Sequence, residues 1–153
     1  MTAELRIPIT CLRDPENVRV PLPRYMTPDA AGMDIYADLA ADLTLFPLGR
    51  ALIPTGFALA VPQGYEAQVR SRSGLALRAG LTILNAPGTI DADYRDEVKI
   101  LLITLGDQPV TIQRGDRIAQ LVVAPVMRVQ WQEVDQLEAT ERAGGFGHTD
   151  AKK

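Results

Sequence analysis

The sequence predicts an all-β sandwich or barrel with one short helix, for three reasons. Short apolar runs rich in Val, Ile, Leu and Thr recur roughly every 8–12 residues, as in all-β folds. Eleven prolines and twelve glycines separate these runs, and both residue types favour turns. Residues 73–80, SGLALRAG, depart from this pattern. They begin with a potential Ser N-cap and end with Gly, which predicts a single short helix.

The runs predicted as strands are, in chain order, LRIPIT, LTLFPL, RALIPTGFALAVP, YEAQVR, LTILNAP, EVKILLITL, QPVTIQ, RIAQLVVAPV and VQWQEV. Pro47, Pro54 and Pro62 indicate strand edges, bulges or ends, because proline cannot donate a ladder hydrogen bond. The RGD at residues 114–116 favours a tight turn between two strands over an adhesion motif. We expect one β domain over residues 1–137 and a flexible, Gly-rich tail over residues 138–153.

Composition excludes several classes of function. The chain has 153 residues, is 46% hydrophobic and carries a net charge of −3, so general attraction to nucleic acid or membrane is not expected. Cys11 is the only cysteine and His148 the only histidine, which excludes a disulfide framework and zinc sites built on paired histidines. The first residues resemble no presequence, and no apolar run approaches about 18 residues. We therefore expect a cytoplasmic protein.

The segment RSRSGLA can be interpreted in two ways. If Ser73 opens a helix, backbone N–H groups and Arg72 would form an anion site suited to phosphate. Alternatively, Ser73 is an ordinary N-cap flanked by solvated arginines. The segment alone leaves both open.

The segment NAPGTIDADYRDEVKI, residues 85–100, has the appearance of a hairpin tip unusually rich in acids, although strands are poor in Asp. Asp91 and Asp93 would share one face if extended, so one could act as a general base or both could help to hold Mg²⁺. Tyr94 could stack on a sugar or cover a core edge. The alternative is a polar, solvated hairpin.

The segment RAGGFGHT near the C-terminus combines backbone freedom with two binding side chains. Arg142 could clamp a phosphate and Phe146 could stack on a base. A disordered tail is the alternative. P-loop and Rossmann glycine motifs do not occur in the sequence.

Together, the ordered motifs AGMDIYA, RSRSGLA, NAPGTIDADYRDEV, RGDRIAQLVV and RAGGFGHT resemble those of the trimeric deoxyuridine triphosphatases along nearly the whole chain. The resemblance implies a jelly-roll-like fold and a homotrimer whose active sites are shared between chains. It implies hydrolysis of dUTP to dUMP and pyrophosphate, which limits uracil in DNA and supplies dUMP for dTMP synthesis. Mg²⁺ would be held by phosphate oxygens and water, not by side chains.

The same resemblance implies a role for each matching residue. Asp91 would be the catalytic carboxylate that orients and activates the attacking water. Asp93 would be structural, and Asp34 would support the metal-side water network. The substrate-binding positions would be Asn85, Gly88, Thr89 and Ile90 for uracil, Tyr94 and Lys99 for the nucleoside, Arg72, Ser73 and Gly74 for phosphates, Gln120 for phosphates or the catalytic water, and Arg142 and Phe146 for closure by the tail.

Two positions depart from the family pattern. Asp96 stands where the third motif usually has Gly, and His148 stands where the fifth usually has Ser. If position 96 required a positive φ, Asp would tolerate it better than most residues. Two alternative functions are a dCTP deaminase of the same fold and a non-catalytic trimeric regulator that binds dUTP.

Overall fold

The structure is a computed structural model that describes residues 4–13 and 19–141. These residues form twelve strands and one helix. The strands are β1 (Ile9–Cys11), β2 (Arg24–Tyr25), β3 (Met33–Tyr36), β4 (Leu43–Leu45), β5 (Arg50–Pro54), β6 (Phe57–Leu59), β7 (Tyr65–Arg70), β8 (Leu81–Ile83), β9 (Gly88–Ile90), β10 (Lys99–Thr104), β11 (Val110–Ile112) and β12 (Arg117–Pro125). The helix is α1 (Ser73–Ala79). The predicted all-β fold with one short helix is confirmed.

The strands form four antiparallel sheets. The largest has the order β2-β3-β12-β7-β9, the next has the order β5-β10-β8, and β1-β6 and β11-β4 form two pairs. Buried side chains from all four sheets meet in one hydrophobic cluster. In β10, Ile100, Leu102 and Thr104 point inward while the residues between them are more exposed, the alternation expected of a strand with one face on the core.

Proline and glycine act where the sequence predicted turns. Pro54 is the last residue of β5, an edge strand of its sheet, and Pro47 and Pro62 lie outside strands. Gly80 ends α1 with φ 62°, and a Cβ there would lie 2.2 Å from the Gly106 nitrogen. Glycine is therefore required at the end of this helix both by backbone conformation and by space.

The RGD segment forms a tight turn, as predicted. The Asp116 N–H donates to the Gln113 carbonyl at 3.1 Å, and the Asp116 carboxylate accepts from the Gln113 N–H at 2.8 Å. Gly115 has φ 87° in this turn. The two strands that it joins, β11 and β12, lie in different sheets, so the turn is a connection between sheets.

Three strands were not predicted, and one predicted strand does not form. β2, β3 and β9 are short, with two to four residues each, and lie close to several Pro, Gly and Asp residues. The run VQWQEV at residues 129–134 was predicted as a strand but forms none. Within the described residues the last strand ends at Pro125, and residues 126–141 are all exposed. The domain boundary at residue 137 stays a prediction.

Candidate active site

A cavity of about 200 Å³ opens beside β9, next to strands of the neighbouring sheet. Its lining contains six of the predicted substrate-binding residues, Asn85, Gly88, Thr89, Ile90, Tyr94 and Lys99, together with Val69, Ile83, Val98, Ile100 and Leu101. Most of the apolar residues belong to β7, β8, β9 and β10, and the polar ones lie in β9, in the connections on either side of it and at the start of β10. The cavity thus combines an apolar floor with a few polar groups, as small-molecule sites usually do.

The connection around this cavity is not the simple hairpin that the sequence suggested. β8 pairs with β10 in one sheet, whereas β9 pairs with β7 in another. Pro87 follows a cis peptide bond at the point where the chain leaves β8 for β9. β9 is the last strand of its sheet, so one row of its backbone N–H and C=O groups is left unused by β7. Such an edge can recognise a flat polar ligand through main-chain hydrogen bonds.

Asp91 and Tyr94 lie in the turn that follows β9. The Tyr94 N–H donates to the Asp91 carbonyl at 3.2 Å, so Asp91 and Asp93 are not on one face of an extended strand. Asp91 is exposed and directly follows Ile90 of the cavity lining. The Tyr94 hydroxyl donates to the Glu97 carbonyl at 2.8 Å, which fixes the end of the aromatic side chain.

The departure at position 96 is accommodated by ordinary backbone geometry. Among the described non-glycine residues, only Leu48 has a positive φ, of 64°. Asp96 therefore adopts a conformation that any L-residue can take, and no glycine is required there.

A second group of predicted residues gathers around Asp34, whose side chain is only 3% exposed. Its carboxylate accepts a hydrogen bond from Arg117 at 3.1 Å and one from Gln120 at 3.3 Å, and lies 3.4 Å from the Arg72 guanidinium. Arg72 also donates to the Arg117 carbonyl at 2.8 Å. Two guanidinium groups and one carboxylate leave one net positive charge beside the start of α1, which suits an anionic ligand.

An irregularity in β12 makes the Asp34 cluster possible. Arg117 and Gln120 are three residues apart and would point to opposite faces of a regular strand. The register of β12 against β3 shifts between Arg117 and Ala119. Such a bulge inserts one residue into the strand, so side chains three residues apart across it can point to the same face of the sheet. Both side chains therefore reach Asp34. Sequence reasoning found Gln120 but missed Arg117, because it cannot locate a bulge.

Ser73 is not the N-cap of α1. The N-cap is Arg72, which has extended backbone angles and makes no side-chain capping bond, and Ser73 is the first helical residue. The Arg72 carbonyl accepts hydrogen bonds from the N–H groups of Leu75 and Ala76, so backbone hydrogen bonds alone form the first turn of the helix. Ser73 is exposed, and Gly74 follows it in the same turn.

Ser71 was not singled out from the sequence, but it joins the turn before α1 to β8. Its hydroxyl oxygen accepts from the Ile83 N–H at 3.1 Å and lies 2.7 Å from the Thr82 hydroxyl. Because β8 leads directly to Asn85, these bonds couple the position of the Arg72 turn to that of the cavity. Arg142 and Phe146, predicted to close the site, lie outside the described residues, as does His148.

A third cluster, also missed from the sequence, surrounds Asp38, whose side chain is 3% exposed. Its two carboxylate oxygens accept from Arg13 at 2.6 Å and from Arg114 at 2.8 Å. Burial raises the pKa of Asp38, but the hydrogen bonds and charges of the two arginines outweigh burial, and the pKa lies below its ordinary value. The cluster ties the N-terminal strand to the turn before β12. No local sequence pattern marks this cluster, because its three residues lie far apart along the chain.

No set of three or more His, Cys, Asp or Glu side chains within residues 4–13 and 19–141 is placed to hold a metal ion. In the same part of the chain, no helix is both long and apolar enough to cross a membrane.

Comparison with known proteins shows which family the sequence and the fold are similar to. The model of the dUTPase family matches residues 18–150. The deoxyuridine 5'-triphosphate nucleotidohydrolase of Desulfotalea psychrophila is 60% identical over 147 residues, covering 95% of this chain and 98% of its own. That of Anaplasma marginale is 51% identical over 142 residues, covering 92% and 97%. A dUTPase of Staphylococcus bacteriophage 80alpha, solved with dUpNHpp, has a TM-score of 0.79 at 27% identity, covering 93% and 96%. A dUTPase of S. aureus phage phi11, described with a structural Mg(II) ion, has a TM-score of 0.75 at 25% identity, covering 88% and 100%.

Proposed function

The chain belongs to the dUTPase family, and on that premise we propose how it hydrolyses dUTP to dUMP and pyrophosphate. The observation that carries the proposal is the cavity beside β9, where Asn85, Gly88, Thr89, Ile90, Tyr94 and Lys99 come together. The reaction lowers dUTP, which limits uracil in DNA, and supplies dUMP for dTMP synthesis. The fold is the jelly-roll-like fold of this family.

Uracil binds at the free edge of β9. Backbone N–H and C=O groups around Gly88, Thr89 and Ile90 pair with uracil O4 and N3–H, and Asn85 adds a side-chain contact. Cytosine presents the opposite donor and acceptor pattern and would leave buried groups unpaired, which is strongly penalised. Tyr94 stacks on the deoxyribose and leaves no room for a 2′-hydroxyl group. Lys99 lines the same site.

The Asp34 cluster binds the phosphates. Arg72, with Ser73 and Gly74 at the start of α1, contacts the phosphate oxygens, and Gln120 contacts a phosphate or the attacking water. Asp34 holds Arg72 and Gln120 in place through the contacts described above. The net positive charge of this cluster supports the assignment.

Asp91 is the catalytic carboxylate. It accepts a proton from the attacking water while the water oxygen bonds to the α-phosphorus and the bond from that phosphorus to the bridging oxygen breaks. Pyrophosphate then leaves with the bonding electrons. Its exposed position directly after the cavity-lining Ile90 supports this role, since a water on the phosphate side of a bound nucleoside can reach it.

Mg²⁺ is proposed as the cofactor, held by triphosphate oxygens and water. The donor set fits this arrangement, because the Asp34 carboxylate already contacts three side chains. When bound, the metal neutralises phosphate charge and fixes the triphosphate conformation. The structural Mg(II) ion described for the phage phi11 dUTPase is consistent with a metal in this family.

A homotrimer with shared sites is proposed as the assembly. The segment after β12 carries Met127 and Trp131, each 90% exposed, and Val129 and Leu137 are also exposed. Apolar side chains arranged along an extended segment favour burial against another chain. The tail residues Arg142 and Phe146 would then close a site on a neighbouring chain. A cytoplasmic location stays a prediction from the sequence.

Two experiments test these proposals. The first incubates the protein and Mg²⁺ with dUTP, UTP and the four common deoxynucleoside triphosphates, and measures pyrophosphate and ammonia. We expect pyrophosphate from dUTP alone; ammonia from dCTP would instead support a deaminase, and dUTP binding without turnover a regulator.

The second experiment co-refolds equal amounts of Asp91→Asn chains and chains that end after Leu137. Each variant alone should be nearly inactive. In unbiased mixed trimers, about one quarter of the sites would combine an intact Asp91 with an intact tail. Light scattering checks that trimers form, and activity well above the sum of the two variants is expected. An inactive mixed trimer would show that both elements of a site come from one chain.

A further inference from the structure

Glu97 does not line the cavity beside β9, although the next residue, Val98, does. Its side chain is 18% exposed, and its carboxylate accepts a hydrogen bond from the Gly56 N–H at 2.9 Å. The same carboxylate lies 3.7 Å from the Arg13 guanidinium and 3.8 Å from the Lys99 ammonium group. Glu97 thus connects the turn between β5 and β6 to the segment that carries the cavity wall.

The main chain of Glu97 holds Tyr94. The Glu97 carbonyl accepts from the Tyr94 hydroxyl at 2.8 Å, so a displacement of this carbonyl moves the end of the aromatic side chain. Tyr94 lines the cavity and Glu97 does not. The hydrogen bond from Gly56 to the Glu97 side chain therefore holds Glu97 in place, and the hydrogen bond from Tyr94 to the Glu97 carbonyl in turn holds Tyr94 against the cavity.

The next residue has its own attachments to the same turn. The Val98 N–H donates to the Phe57 carbonyl at 2.9 Å, and the Thr55 hydroxyl donates to the Val98 carbonyl. The start of β10 is thus held independently of the Glu97 side chain. Loss of that side chain should therefore loosen the turn that ends at Glu97 while the sheet remains intact.

We propose that Glu97 is a positioning residue that fixes Tyr94 against the cavity through the Gly56 hydrogen bond and thereby sets discrimination between deoxyribose and ribose. The inference rests on the proposed function of the cavity and of Tyr94. Small displacements of a group that excludes a substituent have large kinetic effects, because 1 Å can change rates by about 10²-fold. The ion pair with Lys99 is secondary, since a pair this exposed is weak.

The test measures kcat and KM for dUTP and UTP in Glu97→Ala and Glu97→Gln. Alanine removes the acceptor for the Gly56 N–H, whereas glutamine keeps an acceptor oxygen and removes only the charge. We expect the ratio of kcat/KM for dUTP to that for UTP to fall about tenfold or more in Glu97→Ala. Glu97→Gln should keep the ratio within about threefold, with any change in KM shared by both substrates because Lys99 contacts them alike.

Asp116→Ala is the matched control. The Asp116 carboxylate also accepts a backbone N–H, from Gln113 at 2.8 Å, but lies in the turn before β12, outside the cavity lining. Its loss should leave the dUTP to UTP ratio unchanged. A fall in the ratio in this control equal to that in Glu97→Ala would overturn the proposal, as would an equal fall in Glu97→Gln.

Tyr94→Phe covers the case in which Glu97→Ala folds poorly, since an unchanged ratio in that variant would overturn the proposal, and where both variants fold a double-mutant cycle tests the coupling. Tyr94→Phe removes the hydroxyl that bonds to the Glu97 carbonyl and should lower the ratio by itself. If Glu97 acts through Tyr94, the effects of Glu97→Ala and Tyr94→Phe on the ratio should be non-additive in the double variant. The effects of Glu97→Gln and Tyr94→Phe should be additive. Additivity in both combinations refutes the coupling. A wild-type protein that does not hydrolyse dUTP would instead refute the proposed function itself.

Discussion

Substitution of Gly56 by alanine tests the packing around the buried carboxylate of Asp38. Gly56 has φ 75°, and a Cβ on it would lie 2.3 Å from an Asp38 carboxylate oxygen and 3.3 Å from the Arg13 Cγ. Asp38 has a short side chain whose oxygens bond to Arg13 and Arg114. It cannot move away from the new methyl group without losing at least one of these bonds.

Gly64 supplies a matched control. It has φ 87°, yet a Cβ there would meet no atom within 4 Å. Gly64→Ala should therefore cost only the strain of a left-handed L-residue, about 1–2 kcal/mol. Gly56→Ala carries the same strain and in addition disturbs the pairing of the buried Asp38 carboxylate with two half-exposed arginines; leaving a buried charge uncompensated costs up to about 3–5 kcal/mol. We expect Gly56→Ala to lose about 4–7 kcal/mol in total.

Thermal unfolding followed by circular dichroism measures the difference. For a domain of about 150 residues, 1 kcal/mol corresponds to about 2–4 °C, so Gly64→Ala should lower the midpoint by about 2–8 °C and Gly56→Ala by about 8–28 °C. In an Asp38→Ala background the obstructing carboxylate is gone, and Gly56→Ala should then cost no more than Gly64→Ala. Equal losses for Gly56→Ala and Gly64→Ala in the native background would refute the reasoning.

Three further predictions concern catalysis, acid stability and backbone strain. Asp91→Asn should retain dUTP binding, measured by calorimetry, and lose about 10²–10⁴-fold in turnover; near-normal turnover would contradict the role as base. Because the pKa of Asp38 is lower in the folded than in the unfolded protein, its contribution to stability is present above about pH 4 and is lost as the pH falls through the folded pKa. Urea midpoints from pH 7 to pH 2.5 should therefore decline less steeply for Asp38→Asn, and parallel curves would argue against this linkage. Leu48 has φ 64° and is 72% exposed, so Leu48→Gly should gain up to about 1 kcal/mol and raise the thermal midpoint; a lower midpoint would show that the leucine makes a stabilising contact.

The sequence predicted correctly those strands and the helix that are determined by residues close to one another along the chain. β7 occupies residues 65–70, the run YEAQVR, and α1 ends at Gly80 as its sequence predicted. β3 was missed although Asp34 to Tyr36 are buried, because an Asp within a strand argues against it until its partners are known. The run 129–134 has the alternation of a strand, but a strand needs a neighbouring strand to pair with, and the part of the chain that the structure describes supplies none there.

The candidate site shows the same division between local and distant causes. Six residues that the motif around residues 85–99 singled out line one cavity, since those residues are close in sequence and fold around one another; their contact with a substrate stays a prediction. Glu97 was overlooked within that motif because its partner, Gly56, lies 41 residues away. The sequence identifies groups that could touch a ligand, whereas the residues that hold those groups in place are identified only by their contacts.

Asp34 and Asp38 show why buried carboxylates require the structure for interpretation. They are four residues apart, are both almost fully buried, and each contacts two arginines. At Asp38 each carboxylate oxygen already accepts a hydrogen bond from a guanidinium group, and these bonds join three segments of the fold. At Asp34 one oxygen contacts both arginines and the other bonds to the Gln120 amide, and Arg72 lies at the start of α1. A phosphate can share that guanidinium without leaving the carboxylate unpaired, because Arg117 and Gln120 remain bonded to it. The first cluster therefore suits ligand binding, whereas the second stabilises the fold.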